Sequence, residues 1–301
     1  MSGTVKEFHF TVEQAGVRLD KYVSEVCPDL SRTQAQKLIE GGQVAVNGNQ
    51  EKASYKLSAG DTVLVKIPPP TSTHLTPENI PVPILYEDDD ILVVDKPAGL
   101  TVHPAPGHTG HTLVNAILSH LTTTSDSTQR PGIVHRLDKD TSGVMVIARN
   151  PKAHDNLASQ FKQHTVKKVY LTLVRGHLTP EEGIIEAPIG RDTGDRKKMA
   201  ISGESRGRKA LTRYKVIHFL GNYTLLEVMP QTGRTHQIRV HLTAIGYPVV
   251  GDAIYGVKSP FLSRQFLHAH KLGFRLPSTG KYLEFTSPLP EDLEKALKTI
   301  S

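Results

Sequence analysis

Nine residues, His135-Arg136-Leu137-Asp138-Lys139-Asp140-Thr141-Ser142-Gly143, stand between two apolar stretches that read as buried strand. Arg130-Pro131-Gly132-Ile133-Val134 precedes them and Val144-Met145-Val146-Ile147-Ala148 follows. Short β-branched runs bounded by Gly and Pro suit a sheet interior. A His, an Arg, two Asp and a Lys between two such strands need a place away from the core. A tight turn whose side chains cap their own backbone is one solution. A functional loop held on a rigid scaffold is the other. Asp140-Thr141-Ser142-Gly143 has the composition of an ordinary turn. Asp138 is harder to place there, because Arg136 and Lys139 flank it. Cationic neighbours favour the ionised form of a carboxylate, and in a cleft such a group is a nucleophile, a base or an electrostatic stabiliser. An ion pair that only holds structure has the same signature.

With 301 residues, about two domains are expected. The single cysteine, Cys27, excludes a disulfide framework within the chain and suits a reducing cytosol. Met1 to His9 has no apolar core of signal-peptide length, and no apolar run is long enough to span a bilayer, so a cytoplasmic location without a membrane partner is expected. The net charge of +6 points only weakly to an anionic partner. Its distribution says more. Arg191, Arg196, Lys197, Lys198, Arg206, Arg208 and Lys209 face only Asp192, Asp195 and Glu204. With Gly194, Gly203 and Gly207 interspersed, this segment reads as a mobile basic loop, and its charge density favours a phosphate grip over a merely solvated loop.

Residues 11–68 read as a small module. A short amphipathic helix begins at Arg18-Leu19-Asp20-Lys21. A second starts with the capping-box pattern Ser31…Gln34 and stops at Gly41-Gly42. Strand Val44-Ala45-Val46, the turn Asn47-Gly48 and strand Thr62 to Ile67 complete it. The module resembles the S4 RNA-binding domain, which implies RNA contact through the second helix, with Arg32 and Lys37 as candidates. Residues 69–83, rich in Pro, Thr and Ser, read as an extended, mobile linker. From Ile84 to residue 301 a second domain is expected. It has hairpins at 84–94 and 210–229, strands at 166–176, 272–274 and 282–285, and helices at 112–121, 151–163, near 235 and from 290.

Within that domain, Arg239 lies among Ile238, Val240 and Leu242, which leave little room for a solvent face. An Arg held inside a domain needs a carboxylate partner, and Asp138 is the natural candidate. Tyr170 lies in a strand, where half-buried packing is the usual role. There is no cysteine pair for zinc, no His-Glu-x-x-His run, no P-loop and no Gly-x-Gly-x-x-Gly after a strand. If the chain is an enzyme, its side chains are expected to act alone, without metal or cofactor.

His135-Arg136-Leu137-Asp138 with Thr141-Ser142-Gly143 resembles the catalytic motif of the RluA-type pseudouridine synthases. The resemblance continues through Asp95-Lys96-Pro97-Ala98-Gly99, Lys168-Val169-Tyr170, Pro188-Ile189-Gly190-Arg191, Thr232-Gly233-Arg234-Thr235-His236-Gln237-Ile238-Arg239 and Gly251-Asp252. With the S4-like module in front, it is nearest to the types that modify large-subunit ribosomal RNA, the D type most closely. It implies an α+β fold: a central mixed, largely antiparallel sheet flanked by helices, with the site in a cleft across the sheet. It also implies cofactor-free isomerisation of uridine in RNA, by C1′–N1 cleavage and C1′–C5 bond formation. Asp138 would be the essential carboxylate, with attack on sugar, attack on base and removal of a 2′ proton all open. Tyr170 would stack on the flipped uracil and help remove the C5 proton, and Arg239 would hold Asp138. Arg136 would fill the space the base vacates, Leu267 would pack near it, and Arg191, Arg196, Lys197 and Lys198 would grip phosphates. The expected substrate is bacterial 23S ribosomal RNA or a subunit precursor, and the expected state is a monomer. Transfer RNA is the alternative substrate. An inactive S4-bearing RNA-binding factor and a sugar-cleaving hydrolase are the alternative functions; the hydrolase would want a pair of carboxylates.

Overall fold

The computed structural model describes residues 5–28, 30–68, 75–103, 110–121, 131–195, 198–203, 205–256 and 258–300. They fall into two units, Met1–Thr73 and His74–Ser301.

In the first unit the capping box forms as read. The Gln34 N–H donates to Ser31 Oγ at 3.3 Å and the Ser31 N–H donates to Gln34 Oε1 at 2.8 Å. The unit runs β1 (Lys6–Thr11), α1 (Leu19–Val26), α2 (Arg32–Glu40), β2 (Val44–Val46) and β3 (Thr62–Ile67). The antiparallel sheet order is β1-β3-β2. Strand β1 was not expected: all of it but Phe10 is exposed, so it carries little alternation to read. Leu19, Val23, Ala35, Ile39, Val44, Val46, Val63 and Val65 form the core, and Cys27 packs with them as a small hydrophobe.

Among the described residues of this unit the buried charge is Asp20. It accepts from Arg18 Nη2 at 3.0 Å, Arg32 Nη2 at 3.0 Å and Gln36 Nε2 at 2.7 Å. The hydrogen bond from Arg18, with those from Gln36 and Arg32, holds its carboxyl far below the usual range against the opposing effect of burial. A carboxyl depressed in the folded state adds stability above its unfolded pKa of about 3.9, and that stability is lost as pH falls through the folded value. Asp20→Asn is therefore expected to cost the first unit about 1.5–3 kcal/mol at pH 7. The deficit should shrink as the medium is acidified below about pH 4. Urea melts of the two forms between pH 2 and 7 would check this, and a deficit independent of pH would contradict it.

The second unit contains β4 (Ile84–Glu87), β5 (Ile91–Lys96), α3 (Leu113–Ile117), β6 (Ser142–Ala148), α4 (Pro151–Lys162), β7 (Lys167–Arg175), β8 (Glu182–Glu186), β9 (Ile189–Arg191) and β10 (Met199–Ile201). It continues with β11 (Leu211–Leu220), β12 (Tyr223–Pro230), α5 (Gln237–Ala244), β13 (Leu267–Arg275), β14 (Tyr282–Thr286) and α6 (Glu291–Ile300). Nine strands form one sheet in the order β4-β5-β6-β13-β7-β12-β11-β8, with β14 added on β13. Among the described strands of this sheet, only the β6–β13 pairing is parallel. The sheet is thus mixed and largely antiparallel, as expected.

Strand β6 is buried at every position because both its faces are covered. Val144, Val146 and Ala148 pack with Ala153 and Leu157 of α4, while Met145 and Ile147 pack with Leu113 and Ile117 of α3. Gly143 is where β6 meets β13. Its φ is +119°, and a Cβ there would collide with the Ala269 backbone, already 2.7 Å from that nitrogen. Gly143→Ala is expected to lower stability by at least about 2 kcal/mol. An unchanged unfolding midpoint would contradict the close approach.

Two local expectations fail and a third holds in altered form. Arg130–Val134 is not a strand: Pro131 and Gly132 turn the chain, and only Ile133 bridges β6, at Ile147; Arg130 lies outside the described residues. The segment from Arg191 is not one long loop, because β9 and β10 pair as a small hairpin. The helix at 112–121 is α3 followed by a 3-10 turn at Leu118–His120. Of the stretch read as a linker, 69–74 lie outside the described residues. The part from 75 lies on the second unit, where Asn115 Nδ2 donates to Thr76 O and Ile80 and Val82 join the core. Among the described residues, no helix is long and apolar enough to cross a membrane.

Candidate active site

The loop that leads into β6 is pinned from beneath. Leu137 is buried with Leu100, Val102 and Met145, and the Thr141 N–H donates to Asp138 O at 3.1 Å, the tight turn expected there. Lys96, fully buried at the end of β5, donates from Nζ to Pro97 O at 2.8 Å, Leu100 O at 2.9 Å and Lys139 O at 3.0 Å. Burial pushes this amine down to about 7. Three carbonyls nevertheless match the three N–H groups of an ammonium, one more than a neutral amine offers, so the cage is built for the charged form. On the other side Arg264 Nη1 donates to Asp140 O at 3.0 Å while its fork grips Asp292. Lys96 and Arg264 together fix the backbone that carries Asp138.

Asp138 opens into a cleft of about 580 Å³. Arg239, from α5 and 4% exposed, donates from Nη1 to Asp138 Oδ2 at 3.1 Å. Its remaining edge is taken by Asp252: Nε to Oδ2 at 2.6 Å and Nη2 to Oδ1 at 2.8 Å. Asp252 also accepts the N–H groups of Ile254 and Tyr255. Burial alone would raise the Asp252 carboxyl, but the Arg239 fork and those N–H groups leave it below its ordinary value. Burial likewise opposes the Arg239 charge, and Asp252 and Asp138 outweigh it. The bidentate pair fixes the guanidinium plane, and of the three N–H groups that remain, one on Nη1 aims the Asp138 carboxylate.

The other contributors come from separate elements. Tyr170 of β7 lines the cleft, with its phenol raised well above its ordinary value by burial and then by the charge of Asp138. His135 is pushed down to about 3 by burial and then by Lys168. Its Nε2 accepts the Val146 N–H at 3.1 Å, and its ring stacks on Phe161 at 4.5 Å. Lys168, lowered to about 8 by burial and then by Arg234, also faces the cleft. Among the described residues lining the cleft, Arg136, Lys162, Lys168, Arg208, Arg234 and Arg239 are cationic, and Asp138 is the one carboxylate. A cleft of that sign concentrates polyanions.

Arg136, Asp138, Tyr170, Arg239 and Leu267 therefore come together, from four stretches of chain. Arg191 and Lys198 sit on the β9–β10 hairpin and its approach instead, and Arg208 is the member of the basic segment that lines the cleft. Arg196 and Lys197 lie outside the described residues. In the first unit Lys37 is exposed on α2, whereas Arg32, still half-exposed, pairs with Asp20. Lys96, Asp252 and His236 stand in the motifs that carry the resemblance, but none was expected from sequence to hold Asp138 or its loop. The available signals were a lysine closing an apolar strand and a short Gly-Asp step, neither of which states a partner.

Residues 90–244 match the family model described as RNA pseudouridylate synthase, and residues 17–63 match the S4 domain. An uncharacterized RNA pseudouridine synthase of Bacillus subtilis is 45% identical over 291 residues, covering 96% of this chain and 95% of the relative. The ribosomal large subunit pseudouridine synthase D of Zymomonas mobilis is 40% identical over 307 residues, covering 96% of each. Among solved structures, human RNA pseudouridylate synthase domain containing 1 superposes with a TM-score of 0.57 at 31% identity, over 71% of this chain and 85% of that one.

Proposed function

The chain belongs to the RNA pseudouridine synthase family and isomerises uridine in RNA, and from that premise we propose that Asp138 carries the reaction and that large-subunit ribosomal RNA is the substrate. The observation that carries the first part is the solitary carboxylate in a cationic cleft, held by an arginine that is itself fixed by a buried aspartate. Contacts from Arg239 and His236 both fall on Asp138 Oδ2, so Oδ1 has no partner among the described residues. That oxygen is the one offered to the nucleotide. The C1′–N1 bond breaks, uracil turns, C1′–C5 forms, the C5 proton leaves and N1 gains one. Tyr170, a phenol protonated at neutral pH and made a still weaker acid by burial, serves best as a stacking surface and hydrogen-bond donor; as a proton acceptor it must hand its own proton on in the same step. Extruding the base from its stack costs about a few kcal/mol. Arg136, exposed on the loop beside Asp138, is placed to fill the gap.

Among the described residues the hydrolase reading lacks its second carboxylate, because Asp140 does not line the cleft. An inactive binding factor would have no need of the Asp138–Arg239–Asp252 chain. The ribosomal target is supported by the relatives named for it and by the S4 domain, on which Lys37 and Arg32 are the proposed RNA contacts. The test is incubation of the pure protein with large-subunit ribosomal RNA and with transfer RNA, both extracted from a strain lacking the gene. Pseudouridine formed only in the ribosomal RNA supports the assignment; formation only in transfer RNA moves the substrate.

A further inference from the structure

We propose that Tyr255 is a positioning residue: its hydroxyl, through His236, holds Asp138 in line and ties that alignment to the seating of the basic β9–β10 hairpin. The inference rests on the reading of Asp138 above.

His236 is the N-cap of α5 and stands in the left-handed region at φ 55°. A non-glycine residue there is uncommon and needs its surroundings to hold it. Tyr255 supplies them. Its Oη lies 2.8 Å from His236 Nδ1, and its ring meets the imidazole edge-on at 5.5 Å. The other ring nitrogen, Nε2, faces Asp138 Oδ2 at 3.9 Å. The same Oη accepts the backbone N–H of Met199, in β10, at 2.7 Å. Met199 and Tyr255 also pack against Ile189 of β9 and Val240 of α5 in one small apolar cluster. The hairpin is therefore joined to the carboxylate by Met199 N–H, Tyr255 Oη and the imidazole of His236.

The proton inventory sets the direction. A phenol has one proton to give. Met199 occupies an acceptor site on Oη, and the proton goes to His236 Nδ1. A neutral imidazole that accepts at Nδ1 carries its proton on Nε2, the nitrogen facing Asp138. The opposite tautomer would aim a lone pair at a carboxylate. Burial favours the neutral ring, and Arg239 acts in the same direction against Asp138 and Asp252. Tyr255 also lies with its ring 5.0 Å from the Arg239 guanidinium and its N–H on Asp252, so it touches both supports of Asp138.

Tyr255→Phe removes the hydroxyl and keeps the ring. Single-turnover rates at saturating enzyme, on ribosomal RNA from a strain lacking the gene, should fall about tenfold, with the half-saturating concentration unchanged within about twofold. His236→Gln should cost a similar factor, and Tyr255→Phe should add little to it, because both act on one chain of contacts. In nitrogen-15 histidine spectra His236 should show the Nε2–H tautomer in the natural protein and lose that preference in Tyr255→Phe. An unchanged rate in Tyr255→Phe, a loss confined to RNA affinity, or equal losses with and without His236 would each overturn the inference. Asp138→Asn run alongside separates the two readings. If it stays active, the role of Asp138 fails; if it is inactive while Tyr255→Phe keeps the full rate, only the relay fails.

Discussion

Asp138→Asn is expected to slow pseudouridine formation by about 10⁴-fold or more, the equivalent of about 5 kcal/mol of barrier, while leaving RNA binding and folding nearly intact. The side chains are the same size, and Asn keeps an oxygen for Arg239 Nη1. Arg239 does not depend on Asp138 for its neutralisation, since the Asp252 fork already takes Nε and Nη2. The change therefore removes the charge and nucleophilicity of one oxygen and little else. Rates under single turnover, set beside filter binding of the same RNA, separate the two quantities. A rate within about tenfold of the natural protein would mean that Asp138 is a structural ion-pair partner.

Arg239→Met is expected to abolish activity as well, and in addition to cost about 3–5 kcal/mol of stability, because it leaves the Asp252 carboxylate buried without its cation. The pH dependence carries the sign. With Arg239 present, the Asp252 carboxyl is held below its ordinary value, so it adds stability above its unfolded pKa of about 3.9 and loses it as pH falls through the folded value. Without Arg239, burial dominates and the folded pKa rises above the unfolded one. The stability of the variant should then fall as pH climbs from about 4, and its deficit should be larger at pH 7 than at pH 5. Adding Asp252→Asn to Arg239→Met should restore part of the stability and none of the activity. Denaturant melts of the three forms at pH 5 and 7 test this; a deficit that Asp252→Asn deepens would contradict it.

The two residues differ in how plainly the sequence marks them. Asp138 stands out because charge interrupts an apolar run, and β6 behind it is apolar throughout for the reason the run suggests: helices cover both its faces. Arg239 was legible as an arginine with no solvent face, and its pairing with Asp138 follows from that. Asp252 was not, because its fork depends on a loop that brings it back beneath α5, which no periodicity encodes. Lys96 is similar: its three acceptors are backbone carbonyls, which carry no residue type to read. The basic segment misled in the opposite direction. Glycines and charges suggested a loop, but pairing of Met199–Ile201 with Ile189–Arg191 overrode local composition. Strand β1 was hidden because one exposed edge with two phenylalanines offers too little contrast.

The most direct test is a pseudouridine map of ribosomal and transfer RNA from cells carrying the gene, lacking it, or carrying Asp138→Asn. Sites in large-subunit ribosomal RNA that disappear on deletion are expected to disappear equally with Asp138→Asn. Sites that vanish on deletion yet persist with Asp138→Asn would contradict the central role of that carboxylate.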